Sequence, residues 1–186
     1  MSNCKQFEIT DKTLENLRGI HSLDMSHCYH VYNSVVNGNG FNHLKGIHTL
    51  DISYCKDISR DAFKHIKGIH TLIMSHCGDI SDNVFRYLEG IHTLDMSYSG
   101  SISDYAFIYL KGIHTLDISH CDQISDLAFK NLKGIHTLNM SCCRQISDQV
   151  FKYLKGIHTL NITNYNKNII TKEAIESLKD IPILIK

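Results

Sequence analysis

Residues 46–55 read Gly-Ile-His-Thr-Leu-Asp-Ile-Ser-Tyr-Cys, and close copies of this stretch recur along the 186-residue chain. After a first interval of 27 residues, the phrase returns at intervals of 22 residues. Self-similarity at a fixed period predicts stacked structural units rather than one globular core. The phrase Gly-Ile-His-Ser/Thr-Leu begins at Gly19, Gly46, Gly68, Gly90, Gly112, Gly134 and Gly156.

The first half of each unit has the alternation of a β-strand. Leu50 and Ile52 lie two residues apart with polar residues around them, which is the pattern of a short strand with one buried face. Stacking of parallel strands turns each outward position into a column. The expected outward columns are a Thr column (Ser22, Thr49, Thr71, Thr93, Thr115, Thr137, Thr159), an Asp column (Asp24, Asp51, Ile73, Asp95, Asp117, Asn139, Asn161), a Ser column (Ser26 through Ser141 and Thr163) and a ring column (His27, Tyr54, His76, Tyr98, His120, Cys142, Asn164).

The second half of each unit has a helical period. Ala62, Phe63 and Ile66 follow the i, i+3, i+4 spacing, with Ser59 as candidate N-cap and Gly68 just past the helix end. An acidic residue follows the cap in four later units and suits the helix dipole. Because helices are wider than strands, the predicted fold is an α/β solenoid shaped as a horseshoe, with period 22, a concave parallel β-sheet and short helices on the convex side.

The whole chain is expected to form one solenoid domain over residues 1–186. Residues 1–19 match a half repeat, residues 20–180 hold seven full repeats, and residues 181–186 form a partial repeat that reads as a final strand. The first full unit carries five extra residues near positions 37–40, where Asn and Gly alternate, and a loop on the convex side is expected there.

The pattern L-x-x-L-x-L-x-x-C resembles the leucine-rich repeat, in the subtype that carries Cys in place of the usual Asn. The near-invariant Lys-Gly-Ile-His-Thr-Leu phrase is also similar to repeat arrays of giant DNA viruses of amoebae. The resemblance implies binding of a protein partner, with the substrate-recognition part of an F-box ubiquitin ligase as one alternative role. The residues that carry it are Leu23, Met25, Cys28, Leu50, Ile52, Cys55, Leu72, Met74, Cys77, Leu116, Ile118, Cys121, Leu138, Met140 and Cys143.

Composition argues against several classes of partner. Lys plus Arg and Asp plus Glu both number 19, so the chain lacks the basic excess typical of proteins that neutralise nucleic-acid phosphates. No apolar run approaches the ~18 residues of a membrane span, and the N-terminus lacks the apolar core of a signal peptide. We therefore expect no nucleic acid or membrane partner, a cytoplasmic location (the host cytoplasm if the protein is viral) and reduced thiols; oligomeric state is left open.

Two columns of potential metal ligands need a separate interpretation. The inward cysteines (Cys28, Cys55, Cys77, Cys121, Cys143) fall one per strand at ~4.8 Å, a line rather than the tetrahedron that zinc requires. We expect buried thiols there and a more reactive thiol at outward-facing Cys142. The chain is expected to use no cofactor or metal. A column of histidines, the His column, precedes the strands. We interpret it as a structural ladder in which the side chains bridge neighbouring turns by hydrogen bonds, with a metal-binding or pH-responsive role as the alternative. Its members are His21, His48, His70, His92, His114, His136 and His158.

The concave sheet face is the expected functional surface. Stacked carboxylates and an alternating His/Tyr stripe suit a basic or polar segment of a partner protein, and Ile73 places one apolar spot among the acids. No nucleophile, base and orienting acid stand apart from the periodic columns, so the protein is not expected to be an enzyme. The predicted partner-binding residues are Asp24, Asp51, Tyr54, Ile73, His76, Asp95, Tyr98, Asp117 and His120.

Overall fold

The computed structural model describes residues 11–28, 40–55, 58–78 and 80–186. Eight three-residue strands form one parallel sheet in chain order, each paired in register with the next. The horseshoe solenoid predicted from the repeat is therefore confirmed. The strands are β1 (Ser22–Asp24), β2 (Thr49–Asp51), β3 (Thr71–Ile73), β4 (Thr93–Asp95), β5 (Thr115–Asp117), β6 (Thr137–Asn139), β7 (Thr159–Asn161) and β8 (Ile183–Ile185).

One continuous core runs between the sheet and the convex side. The central leucine of each strand from β2 to β7 is buried. Among the phenylalanines of the second half-units, Phe63, Phe85, Phe107 and Phe129 have no exposed surface, and Phe151 is partly buried. The period of 22 residues repeats these contacts from unit to unit. Because one unit is too small to bury its own apolar face, the stacked neighbours supply the rest of the core.

The short helices of the repeats are 3₁₀ helices rather than α-helices. Within the unit that contains Phe107, the N–H of Ala106 donates to the carbonyl of Ser103 and the N–H of Leu110 donates to that of Phe107, both i to i+3 bonds. A 3₁₀ helix rises about 2.0 Å per residue against about 1.5 Å for an α-helix, so it spans the convex side with fewer residues, as a 22-residue unit requires. The 3₁₀ helices are η1 (Gly40–Leu44), η2 (Arg60–Ile66), η3 (Asp82–Tyr87), η4 (Asp104–Tyr109), η5 (Asp126–Asn131) and η6 (Asp148–Tyr153), and the two end helices are α1 (Asp11–Glu15) and α2 (Lys172–Glu176).

The helix ends follow the sequence prediction. The Ser59 hydroxyl accepts a hydrogen bond from the N–H of Asp61 at 3.3 Å, as an N-cap does. Gly90 and Gly112 have φ of 82° and 83° at the turn before each strand, and no atom lies within 4 Å of where a Cβ would stand. Glycine is therefore needed there for its left-handed backbone and not for space.

An unexpected bond joins consecutive units on the convex side. The acidic residue that follows an N-cap accepts two hydrogen bonds from the N-cap residue of the next unit, one from its backbone N–H and one from its hydroxyl. The sequence suggested only a helix-dipole role for these acids. The four pairs, which we call staples, are Asp82 with Ser103, Asp104 with Ser125, Asp126 with Ser147, and Asp148 with Thr171.

The predicted convex loop and the expected absence of a membrane span can be compared with the structure only over the described residues. The loop expected near positions 37–40 lies outside them except for Gly40, which begins η1 and is buried. In the described part of the chain, every helix is too short or too polar to cross a membrane.

Candidate functional site: the concave sheet face

The Asp column forms on the outward face of the sheet as the sequence predicts. Strand pairing sets Asp51 beside Ile73, Ile73 beside Asp95, and Asp95 beside Asp117. The column continues to Ile185, which is paired with Asn161. Side chains that are more than a hundred residues apart in sequence therefore lie on one surface.

The carboxylates of the Asp column are tied to the turn that ends each strand. The backbone N–H of Ser97 donates to Oδ1 of Asp95 at 2.9 Å, and the N–H and hydroxyl of Ser119 donate to Oδ1 of Asp117 at 2.8 and 2.6 Å. Asp51 accepts the same pair of bonds from Ser53. These bonds fix the direction of each carboxylate before any partner arrives.

The Ser column was expected on the solvent-facing side, and that expectation is wrong for its central members. The strands end after three residues and the chain then turns, so the alternation of inward and outward positions stops before the serine. Where an aspartate precedes it, as at Ser53, Ser97 and Ser119, the serine hydroxyl donates to that carboxylate instead. The buried members are Ser53, Ser75, Ser97 and Ser119.

Charge in the Asp column is concentrated around Asp95. Burial raises the pKa of the Asp95 carboxyl, hydrogen bonds from Ser97 oppose that effect, and the charges of Asp117 and Asp51 raise the pKa further. Asp117 has additional support, because Nδ2 of Asn139 donates to its Oδ2 at 2.7 Å. Among the described residues, Asp95 has no side-chain amide donor like the one that Asn139 supplies to Asp117, and the charge nearest in kind is the imidazole of His76, with which Asp95 interacts electrostatically. The ionised form of Asp95 would therefore gain from a cationic donor.

The ring column is a continuous stack. The ring centroids of neighbouring units lie 4.0–4.3 Å apart with interplanar angles of 12–24°. Its solvent exposure rises toward one end, where Tyr98 is 47% exposed. Beyond His120 the stack gives way to Cys142, whose Sγ accepts a hydrogen bond from Nδ2 of Asn164 at 3.6 Å. The stacked members are His27, Tyr54, His76, Tyr98 and His120.

Every residue of the ring column has a left-handed backbone, with φ between 56° and 63°. The conformation lets the N–H of Tyr98 donate to the carbonyl of Ser119 in the next unit at 2.9 Å. It costs an L-residue with a bulky side chain about 1–3 kcal/mol, and Gly or Asn would adopt it more cheaply. The chain uses Asn at position 164 of this column, so the rings at the other positions are not required by the backbone.

A shallow groove of about 360 Å³ runs along the concave face from β3 to β8. The Thr column forms one side of the groove and the Asp column the other. Besides residues of the Thr column and the central leucines, the groove lining includes three members of the Asp column that are not among the nine partner-binding residues predicted from the sequence, which are Asn139, Asn161 and Ile185. Aligning the last strand with the repeat would have found Ile185, since it falls in the Asp column.

The His column forms a second stack, at the start of the strands. The rings of His21, His48, His70, His92, His114, His136 and His158 follow one another at centroid distances of 4.4–4.6 Å. Nδ1 of each ring from His48 onward is hydrogen-bonded to Oγ1 of the next threonine at 3.1–3.2 Å. The contact between units is therefore ring stacking, whereas the sequence suggested side-chain hydrogen bonds across the turns.

Partial burial lowers the pKa of His48, and the neighbouring charges of His70 and His21 lower it further. The same causes act on the pKa of His136, with His114 and His158 as the neighbours. At these two positions the fold therefore favours the neutral imidazole.

The cysteines divide as the sequence predicts. Cys28, Cys55, Cys77, Cys121 and Cys143 are buried, and Cys142 is partly exposed. Burial raises the pKa of Cys77, Cys121 and Cys143 to about 12, and each of these thiols donates to a carbonyl of the unit before it at 2.9–3.2 Å. Among the described residues, no group of three or more His, Cys, Asp or Glu side chains could hold a metal ion.

The nine residues selected from the sequence occupy two neighbouring columns of this face. Asp24, Asp51, Ile73, Asp95 and Asp117 lie in the Asp column, and Tyr54, His76, Tyr98 and His120 lie in the ring column. Most of them are half-buried, while Asp24, Tyr98 and His120 are exposed.

Solved structures similar to this one share its fold at low sequence identity. A chain of the Rad7 and Elc1 complex in yeast superposes with a TM-score of 0.68 at 18% identity, over 95% of this chain and 58% of that one. The TLR13-ssRNA13 complex gives a TM-score of 0.60 at 18% identity, over 95% of this chain and 30% of that one. Human 5T4 gives a TM-score of 0.59 at 14% identity, over 89% of this chain and 78% of that one. The chain thus spans under two thirds of the length of the first two.

The sequence itself matches a family model. No match is found among curated proteins. The model described as the BspA type leucine rich repeat region matches six copies over residues 8–136 and 56–181. Together these ranges span most of the chain, and the repeat they describe is the one built from the strands and 3₁₀ helices above. The protein therefore belongs to the BspA-type leucine-rich repeat family.

Proposed function

We propose that the protein is a non-enzymatic interaction module that binds a partner protein on its concave sheet face. The observation that carries this proposal is the register of the sheet, which sets the Asp column beside the ring column as two fixed, parallel stripes. Because the backbone and the carboxylates are already ordered, a partner binds without the entropic cost of ordering a loop. The partner is expected to present a basic or polar segment.

The strain in the ring column supports the same face. Left-handed backbone at bulky residues is costly, and such strain often marks functional positions. Tyr98 has this conformation, and its aromatic side chain is 47% exposed. Aromatic side chains next to buried charge are frequent energetic centres of protein interfaces.

A competing surface lies on the convex side. Tyr105 and Leu127 occupy the same position in η4 and η5 and are 76% and 68% exposed, and Ile108 is also exposed. Nothing in the structure shows what would cover these side chains. They therefore provide a control surface of comparable hydrophobicity.

The test compares variants of the two surfaces in a pull-down from the source cell, with bound proteins identified by mass spectrometry. The concave double variant Tyr98→Asn/Asp95→Asn is expected to lose the partner, and it keeps the fold because the chain already has Asn at 164 and 139 in these columns. The controls are Tyr105→Ser/Leu127→Ser and Lys64→Gln/Lys130→Gln. Equal loss in concave and convex variants would contradict the proposal.

Two alternatives stay open. A substrate-recognition role in an F-box ubiquitin ligase is implied by the sequence resemblance, and the likeness in fold to a chain of the Rad7 and Elc1 complex is its support; ligase subunits among the captured proteins would favour it. A pH-responsive structural role is supported by the stacked His column. A metal-responsive role of the same column has no described group of three or more ligands behind it, and a shift of the melting temperature on addition of zinc would favour it. Assignment to the cysteine-containing subtype, supported by the buried thiols, together with a viral origin and a cytoplasmic location, remains part of this proposal.

A further inference from the structure

The residue types of the Asp column vary along the solenoid among acidic, amide and apolar, and this change defines a smaller site. Between β3 and β8 its members are, in order, Ile73, Asp95, Asp117, Asn139, Asn161 and Ile185. All six line the groove on the concave face. The groove therefore has an apolar side chain at each end, two carboxylates in one half and two amides in the other.

The two isoleucines are the only apolar members of this column in β1–β8. Ile73 is half-buried and Ile185 is 47% exposed, and Ile183 beside it in the Thr column is 46% exposed. Asp or Asn stands at the equivalent place in the other six strands, so an apolar residue there is not needed for the fold. Covering the apolar surface that half-buried Ile73 and exposed Ile185 leave accessible at the two ends of the groove would gain free energy.

We propose that the groove binds an extended peptide segment of the partner, with two apolar side chains eight residues apart and a lysine or arginine two residues inside one of them. This inference rests on the proposed function and specifies the partner that the concave face accepts. The segment runs along the solenoid axis, across the strands.

The spacing follows from sheet geometry. Neighbouring strands lie ~4.8 Å apart, so five steps separate Ile73 from Ile185 by ~24 Å. An extended chain advances ~3.3 Å per residue and turns alternate side chains to the same side, so side chains eight residues apart face the groove at ~26 Å, within side-chain reach of both isoleucines. The third residue of such a segment lies ~7 Å from the first, between Asp95 and Asp117.

The lysine or arginine of the bound segment is inferred from the carboxylates of Asp95 and Asp117. Oδ1 of both residues is held by the serine turns, and Asp117 also accepts from Asn139. A partner ammonium or guanidinium group placed between Asp95 and Asp117 would offset their repulsion and give Asp95 a charged hydrogen-bond donor, which none of the described residues supplies. The other half of the groove offers amide groups, which suit uncharged polar side chains.

Side chains, rather than backbone pairing, must provide the recognition. The N–H and C=O groups of strands β2 to β7 are used between neighbouring units. The groove therefore cannot extend its sheet onto a bound strand in the way that an edge strand can.

The test measures fluorescence anisotropy of two labelled nine-residue peptides with the full chain. The peptides are Leu-Ser-Lys-Ser-Gln-Ser-Gln-Ser-Leu and its reverse, which cover both directions along the groove. We expect one of them to bind, with affinity lowered roughly tenfold in Ile73→Asn and in Ile185→Asn. Each of these variants introduces a residue that the chain already has in this column at 139 and 161, and circular dichroism checks their fold.

Three comparisons decide the inference. A peptide with Glu in place of Lys, and one with its leucines only four residues apart, are expected to bind at least roughly tenfold more weakly to the unaltered chain. Binding that is unchanged in both isoleucine variants, equal binding of the Glu peptide, or no binding of either Lys peptide would overturn it. If the peptides fail while the concave double variant still loses its partner, the inference is wrong and the proposed function stands.

Discussion

Both carboxylate oxygens of Asp104 accept hydrogen bonds from Ser125, the N-cap residue of the next unit. The N–H of Ser125 donates to Oδ1 at 2.8 Å and the hydroxyl of Ser125 donates to Oδ2 at 2.6 Å. The same hydroxyl accepts from the N–H of Leu127 at 3.3 Å, so one serine caps its own helix and holds its neighbour. A staple of this kind adds to the interaction energy between adjacent units, and that energy makes the folding of repeat proteins cooperative.

Removing one staple should destabilise the fold. Asp104→Ala leaves the N–H and hydroxyl of half-buried Ser125 without their acceptor, and we expect a loss of about 1–3 kcal/mol in the free energy of unfolding. Urea denaturation followed by circular dichroism measures it. Asp104→Asn, which keeps one acceptor oxygen, should lose less; an Ala variant as stable as the unaltered chain would show that solvent replaces the staple.

Adding the missing staple should stabilise the fold. Arg60 stands where the next four units carry the acidic residue, and the hydroxyl of Ser81, the N-cap residue of the following unit, is buried without a hydrogen-bond partner. Arg60→Asp should supply both acceptors and gain about 1 kcal/mol, or roughly 2–4 °C in melting temperature. Arg60→Ala is the control, because an equal gain there would mean that loss of the arginine and not the staple is responsible.

Stability should fall as the pH drops below the range in which histidine is neutral. The pKa values of His48, His136 and His76 are lowered in the fold, whereas in the unfolded chain histidine titrates near ~6.5. The unfolded chain therefore binds more protons below about pH 6.5 and is favoured there, while the full stability is present above it. Thermal melts at about pH 7.5 and 5.5 should differ, with the lower melting temperature at the lower pH.

The His column is tested by shortening the stack. In His48→Asn/His136→Asn, two of the shifted groups are gone, and the difference between the two melts should shrink. The contribution of Asp95 to the pH dependence of stability has the opposite sign, because its raised pKa favours proton uptake by the folded state at acidic pH. Melts that coincide at the two pH values would refute the pH dependence.

The thiols should differ sharply in reactivity. Thiolate is the reacting form, and a pKa of about 12 leaves almost none at Cys77, Cys121 or Cys143 near neutral pH. Among the cysteines that the structure describes, partly exposed Cys142 should be alkylated first by iodoacetamide, as peptide mapping by mass spectrometry would show. The buried thiols should react only after denaturation; alkylation of Cys121 as fast as Cys142 in the folded chain would contradict the burial.

How far the sequence predicts the site depends on the range of the interaction. Alternation around Leu50 placed the strand, and the 22-residue period then placed Asp95 beside Asp117, since the register is a direct consequence of repetition. The period says nothing about how two rings on neighbouring strands meet, and the stacking of His48 on His70 replaces the expected hydrogen bonds. Ser97 was misplaced because a strand pattern does not show where the strand stops.

The sequence by itself determined the unit, its strand and helical halves, the inward cysteines and the outward Asp and ring columns, because each follows from the period of apolar residues within 22 positions. Only the tertiary structure decided what passes between units: the staples from Asp82, Asp104, Asp126 and Asp148, the 3₁₀ form of the helices and the left-handed backbone at Tyr98. These features depend on distances between stacked units. The packing that sets such distances is a property of the whole array and not of any one copy of the repeat.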